Sequence, residues 1–360
     1  MEEGQRLTIP HGARELERVT VDDYNAELRD ENGFVGDRAS RRAFRAIVED
    51  LRQRLREVAK DPLGDRPGEE LTKQVLDDVL AEGEPEAAGL IHGAIEDFTA
   101  ELVTVIEELL GLPSWRDVQR IVVGGGLRGS RVGELVIGGA SVRLKAGGRK
   151  LDVQPIHSDP DEAGLIGAVH LATDGVLGGH DGILAVDIGG SNVRAGVVGL
   201  VPRRNGRPPK GAVRELELWR YADEETRPTR EETVEQIAGM LRRLAQSAQR
   251  HGLELAPFIG VACPGIINAN GRIERGAQNL PGDWESPDFD LPARLAELGP
   301  RFGEAPPLVV LHNDAVVQGL SELPFLGDVL HWGALTIGTG LGNAAFTNRA
   351  QPGEAPIEQS

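Results

Sequence analysis

Apolar residues at Phe44, Ile47, Val48, Leu51, Leu55 and Val58 recur every three or four positions, which predicts a helix over 43–58. A second helix is expected over 71–80. A longer one is expected over 87–109, where Leu90, Ile91, Ile95, Phe98, Leu102, Val105, Ile106 and Leu109 share one broad face. The period then changes. Residues 120–123 form a short apolar run that ends in Gly124-Gly125-Gly126, the mark of a buried strand feeding a turn. Similar runs at 183–186, 258–262, 308–311 and 334–337 predict further buried strands, with 193–200 returning as a hairpin partner and 213–220 as a third strand. Helices are expected at 161–172, where Ala163, Gly164, Gly167 and Ala168 permit close packing, and at 232–251 and 315–322. Prolines and glycines at 60–69, 173–182 and 202–210 read as connections, and the charged, weakly patterned residues 1–30 as an extended arm. Strands mixed with helices in this way indicate an α/β protein.

Composition narrows the function classes. At 360 residues the chain exceeds a usual single core, so two lobes are expected. Lys plus Arg minus Asp plus Glu gives 39 − 57 = −18, the wrong balance for a nucleic-acid binder. It leaves an ATP site open, because nucleotide loops hold phosphate mainly through backbone N–H groups and a metal ion. Cys263 is the only cysteine, so it forms no intramolecular disulfide and builds no cysteine-rich zinc site. No apolar run approaches membrane-spanning length and the acidic start lacks a signal-peptide pattern, so a cytoplasmic location without membrane partners is expected.

Three glycine turns follow apolar strands, at 189–190, 338–342 and 124–126. Glycine lets a backbone approach a polyanion and adopt positive φ, and exposed N–H groups can then cradle phosphate. Any one such turn is as readily structural. In the first, Asp187 closes the strand ahead of Gly189, Gly190, Ser191 and Asn192, with Arg194 beyond. Asp187 either caps the turn or holds hydrated Mg²⁺. The second turn, Gly338-Thr339-Gly340-Leu341-Gly342, offers a hydroxyl and backbone donors. Asp314, after Asn313, stands where strand gives way to helix. It is either an N-cap or a general base that takes a proton from an attacking hydroxyl.

These segments resemble the ROK family (repressors, open reading frames and kinases) of the actin-like ATPase and sugar-kinase superfamily. The resemblance is carried by 185–196 for the first phosphate turn, 259–265 for a core strand and turn, and 279–284 for a sugar-side segment. Residues 313–315 match the catalytic aspartate segment and 335–342 the second phosphate turn. Residues 121–127 resemble the family's adenosine segment and 161–168 its final helix, yet both precede the strand that normally begins the protein. The resemblance therefore implies a two-lobed, ribonuclease H-like, actin-like ATPase fold that is circularly permuted. A truncated member with an unrelated N-terminal domain is the competing reading. Implied lobes are 31–158 with 315–360 (adenosine side and second phosphate turn) and 159–314 (first phosphate turn, sugar side and aspartate), after an arm at 1–30.

The same resemblance implies an ATP- and Mg²⁺-dependent kinase acting on a hydroxyl of a small-molecule sugar, glucokinase-like, and a homodimer. It implies Asp314 as base, Asn279, Asn313 and Asp314 at the sugar, and Asp187 at Mg²⁺ through water. Gly189, Gly190, Ser191, Asn192, Arg194, Gly338, Thr339, Gly340, Gly342, Gly124, Gly125 and Gly126 would bind ATP. The family's zinc segment is absent, its Glu-x-Gly-His segment is not found, and Asn343 stands where a glycine is usual. His11 is a lone histidine, more simply a surface residue than the missing one. These departures motivate the alternative of an inactive sugar- or nucleotide-binding sensor.

Overall fold

The computed structural model describes residues 9–31, 33–201, 209–303 and 305–349. Most of the expected turn at 202–210, the first residues of the expected arm and the last of the expected large lobe lie outside the described residues. The chain divides into two compact units. The first takes the described residues of Met1–Val21, Glu162–Asp328 and Asn348–Ser360, and the second takes Asp22–Asp161 and Val329–Thr347. The helix Asp314–Leu320 thus falls in the first unit, where the sequence reading began the large lobe at 315.

The described residues form an α/β fold with two five-stranded sheets. Their strands are β1 (Val19–Tyr24), β2 (Arg120–Gly124), β3 (Asp152–Pro155), β4 (Gly182–Ile188), β5 (Val193–Val201), β6 (Lys210–Trp219), β7 (Leu255–Cys263), β8 (Leu308–Asn313), β9 (His331–Ile337) and β10 (Leu341–Asn348). The first sheet has the order β8-β7-β4-β5-β6. β4 runs parallel to β7 and β7 to β8, while β4, β5 and β6 form an antiparallel meander. The second sheet has the order β1-β10-β9-β2-β3. Here β9 runs parallel to β2 and β2 to β3, and β9 pairs antiparallel with β10. Counted from β4, the first order is 5-4-1-2-3. Counted from β9 and continued through β1, the second is 3-2-1-4-5, which is the same arrangement read from the other edge.

The described part of the supposed arm, from residue 9 on, belongs to this architecture. Val19 and Val21 are buried, and β1 lies beside β10. Ahead of it, the Gly12 N–H donates to the Leu311 carbonyl (2.9 Å) and covers the edge of β8. The expected linker at 173–182 contains a helical turn, Asp174–Leu177. It is pinned where Arg18 donates to Asp174 (2.8 Å) and the Asp174 N–H to Glu17 (2.8 Å).

Each unit has a core of its own. In the first, Val234, Ile237, Leu241 and Leu244 of the helix Arg230–Arg250 pack with Leu184, Val186, Val261 and Leu311 of the sheet. A capping box between Thr229 and Glu232 starts that helix. The small residues at 163–168 are needed where they stand: a Cβ on Gly167 would lie 1.7 Å from the Val317 carbonyl oxygen. In the second unit, the helix Pro85–Leu110 buries Leu90, Ile91, Phe98, Leu102 and Ile106 against Phe44 and Val48 of Arg41–Arg56. Phe98 meets Phe44 edge to face at 5.5 Å. The helix Arg131–Ala146 was not expected from the sequence. Its glycines Gly133 and Gly139 dilute the apolar stripe but let it approach Leu127 and Thr99.

Candidate functional site

Within the first unit the polar residues gather at the carboxyl ends of β4, β7 and β8, where open α/β sheets commonly place ligands. Register explains the grouping: Asp187 on β4 lies opposite Ala262 on β7, and Asn313 on β8 lies opposite Cys263. Asp187 is 4% exposed. A Cβ on Gly164 would come within 2.7 Å of its carboxyl carbon, so this helix residue must be small for the carboxylate to fit. Arg194, directly across the hairpin, approaches Asp187 at 3.6 Å and donates to the Asn192 side-chain oxygen at 2.8 Å.

Asn313 shares the start of one helix with Asp314, whose carboxylate accepts the Ala315 N–H (2.9 Å). Asn313 is the N-cap of the helix Asp314–Leu320, accepting from the Ala315 (3.0 Å) and Val316 (3.3 Å) N–H groups, while its amide donates to the Gly265 carbonyl (3.0 Å). The side chain expected at a sugar thus spends its oxygen and one of its two amide hydrogens on the protein. Asp314 opens the helix just after the cap. Burial first, and the nearby Asp187 charge second, push its carboxyl up to about 6. The same surroundings, burial and then Asp314 and Asp187, raise the thiol of buried Cys263 well above its ordinary value.

The turn at 189–192 is braced from below. The Tyr221 hydroxyl donates to the Gly189 carbonyl (2.5 Å), the Ala222 N–H to the Ser191 carbonyl (3.1 Å), and the Gly189 N–H to the Asn192 carbonyl (2.9 Å). Three carbonyls are tied back, and the N–H groups of Gly190, Ser191 and Asn192 have no partner among the described residues. Such a run of unclaimed donors suits an anion. Asn279 stands beside the turn, with its Cβ 3.1 Å from where a Gly190 Cβ would be. Its segment is anchored by buried Trp284, whose indole N–H donates to the Pro281 carbonyl.

His11 is no free surface residue. Its Nδ1 accepts the Leu311 N–H (3.1 Å), continuing the edge of β8. Burial lowers its pKa against the opposing pull of Asp290.

The second unit holds the other two glycine turns. At 338–340 the Gly338 N–H donates to the Gly340 carbonyl (2.9 Å) and the Arg41 N–H to the Gly338 carbonyl (3.0 Å). The N–H groups of Thr339 and Gly340 have no partner among the described residues. Gly342 lies within β10, opposite Thr336, and not in the turn itself. Gly124 ends β2 opposite Thr336 of β9. Gly125 has φ +85°, and a Cβ there would lie 2.5 Å from the Ile337 carbonyl oxygen. Of the glycines at 124–126, 189–190 and 338–342, Gly125 alone has positive φ. Gly190 allows the close approach of Asn279, and Gly340 faces open space. Asn343, the departure from the resembled pattern, clamps the chain at Ala26 by accepting its N–H (2.9 Å) and donating to its carbonyl (3.2 Å).

Tyr221, Gly164 and Arg41 were absent from the sequence reading of the site. A glycine inside the 161–172 pattern was the one local signal for Gly164. Nothing local marked the other two.

Among the described residues no cluster of three or more His, Cys, Asp or Glu could hold a metal ion. Hydrated Mg²⁺ needs fewer protein donors, commonly one or two carboxylates with the remainder from water and phosphate, and buried Asp187 beside Asp314 fits that demand. Among the described residues no helix is long and apolar enough to cross a membrane.

No protein-family model and no curated protein matches the chain. Solved structures with similarity include a protein from Listeria monocytogenes described as a candidate N-acetylmannosamine kinase, 26% identical with a TM-score of 0.33. A candidate sugar kinase from Cytophaga hutchinsonii is 19% identical (TM-score 0.33). An inorganic polyphosphate/ATP-glucomannokinase from an Arthrobacter strain is 22% identical (TM-score 0.31). Each alignment takes in 46% of this chain, and 47%, 48% and 57% of those proteins respectively, so the chain spans about half of their length.

Proposed function

We propose that this chain is an ATP-dependent kinase that phosphorylates a hydroxyl of a sugar or sugar-like molecule. The observation that carries the reading is the placing of Asp187 and Asp314 at the carboxyl ends of β4 and β8, on either side of β7, near a turn whose carbonyls are tied back and whose Gly190, Ser191 and Asn192 N–H groups are unclaimed among the described residues. Asp314 accepts the proton of the acceptor hydroxyl as its oxygen bonds to the terminal phosphorus of ATP and ADP departs. A carboxyl titrating at about 6 is ionised at neutral pH yet is a stronger base than an ordinary aspartate. When bound, Mg²⁺ supplies charge neutralisation for the phosphates, with Asp187 as its carboxylate. Gly190, Ser191 and Asn192 receive phosphate through backbone N–H groups, as do Thr339 and Gly340, while Gly189 closes the first turn with its own N–H and Gly124–Gly126 lie against the adenosine.

The matching strand orders support a permuted ribonuclease H-like fold, in which the second sheet begins at β9 and continues through the chain start. Asn279 and Asn313 are the polyol contacts beside Asp314, the Asn313 amide giving one hydrogen to the Gly265 carbonyl and keeping its second for a hydroxyl.

Sugar-dependent release of ADP by purified protein, measured across hexoses and amino sugars, tests the reading. Release with one acceptor and not with water alone is expected. ATP binding without release on any acceptor would instead favour a nucleotide-binding sensor.

A further inference from the structure

The helix Arg41–Arg56 carries six arginines, and they divide into two groups. Arg52 is bound by Glu49 and Asp61, Arg54 by Asp50, and Arg56 by Glu49 and Asp61; Arg42 lies 3.9 Å from Asp37. The side chains of Arg41 and Arg45 have no hydrogen-bond or ion-pair partner among the described residues. They stand four positions apart on one helix, a spacing at which like charges repel. Partial burial first, and the Arg45 charge second, lower the Arg41 pKa. Both residues are exposed, so their guanidiniums are open to an anion from solution.

Their surroundings supply the rest of an anion site. The Arg41 N–H donates to the Gly338 carbonyl, and Nη1 of Arg41 lies 4.0 Å from where a Cβ on Gly126 would be. One residue is therefore bonded by its backbone to one glycine turn of the second unit and holds its guanidinium near the other. Gly125 brings those turns together by its close approach to Ile337. The unclaimed N–H groups of Thr339 and Gly340 and the exposed Thr339 hydroxyl complete the donor set. A guanidinium presents planar, permanently charged donors suited to phosphate oxygens, whereas adenosine offers no anion for it.

We propose that Arg41 is a phosphate-binding residue of the second unit, joining Thr339 and Gly340 around the phosphate chain of the nucleotide. This rests on the ATP reading above, and it names a cation that reading did not contain. Calorimetric titration of wild type, Arg41→Gln and Arg42→Gln with ATP, with inorganic triphosphate and with adenosine tests it. Arg41→Gln is expected to weaken ATP and triphosphate by about ten- to a hundredfold, the worth of a charge-assisted contact, with adenosine changed less than twofold. Arg42→Gln, which alters the neighbouring charge, is expected to stay within twofold for all three. Arg41→Lys separates charge from fold, and partial recovery of triphosphate affinity is expected. Unchanged ATP affinity in Arg41→Gln would overturn the proposal, as would equal loss of adenosine, which would signify a collapsed turn. If wild type itself binds no ATP, the kinase reading fails and this proposal with it, a result visible before any variant is made.

Discussion

The turns at 189–192 and 338–340 occupy the same place in two sheets of the same strand order, and they differ in what surrounds them. Each joins the two antiparallel strands of a hairpin whose first strand also runs parallel to a neighbour. Each has carbonyls tied back by donors from elsewhere, Tyr221 and Ala222 in one case and Arg41 in the other. Around the first stand carboxylates, Asp187 and Asp314, with the Arg194 guanidinium held by Asp187 and the Asn192 side chain. Beside the second stand a hydroxyl, Thr339, and Arg41, whose backbone N–H holds the turn and whose guanidinium, near Gly126, is unpaired among the described residues. A common backbone device thus sits in two chemical settings, one suited to a metal and a proton and the other to negative charge.

The sharpest way to break the comparison is at glycine. Gly125→Ala places a methyl against the Ile337 backbone at positive φ, so a loss of about 2–4 kcal/mol is expected in chemical denaturation. A methyl added at Gly340 would meet nothing within 4 Å, and its φ is not positive, so Gly340→Ala is expected to keep wild-type stability while weakening ATP binding. A destabilised Gly340→Ala with intact ATP affinity would make the second turn purely structural.

The carboxylate side predicts an effect of opposite sign. Asp314 is held above its unfolded value of 3.8, so its charge costs the fold stability as pH rises through about 6. Asp314→Asn should therefore melt higher than wild type at pH 8, by up to about 3 kcal/mol for a shift of roughly two units, and should match it near pH 4. Equal stability at both pH values would remove the electrostatic argument for a tuned base. By the same logic turnover should fall as pH drops below about 6. Asp187→Asn should lower the Asp314 pKa.

The smallest effect concerns the brace. Tyr221→Phe deletes one hydrogen bond to Gly189 and keeps the ring, so a loss of about 1 kcal/mol is expected. It should appear as a several-fold rise in KM for ATP with a lesser change in kcat. An equal KM in the two proteins would show that the turn holds its shape without Tyr221.

Much of this scaffold was legible because short apolar runs are hard to misread. Residues 183–186, 308–311 and 334–337 are strands, and each leads toward a polar residue of the site. Spacing alone placed the long helix at 85–110 within two residues. The helix 131–146 was hidden because its packing depends on glycines, which a periodicity argument counts as breaks. The strand at 19–24 was hidden by Asp22 and Asp23, which leave only Val19 and Val21 as a signal. Asp314 was ambiguous in sequence because cap and base differ by one position; Asn313 is the N-cap, and Asp314 beside it also accepts the Ala315 N–H. Tyr221 and Arg41 reach their turns from distant segments, so only tertiary pairing reveals them.

The most direct test of the account is sugar-dependent ADP release by Asp314→Asn, measured beside its ATP affinity. Removal of a general base predicts a fall in kcat of about 10²- to 10⁴-fold with ATP binding within twofold of wild type. Turnover within tenfold of wild type would contradict the assignment of Asp314 as the base.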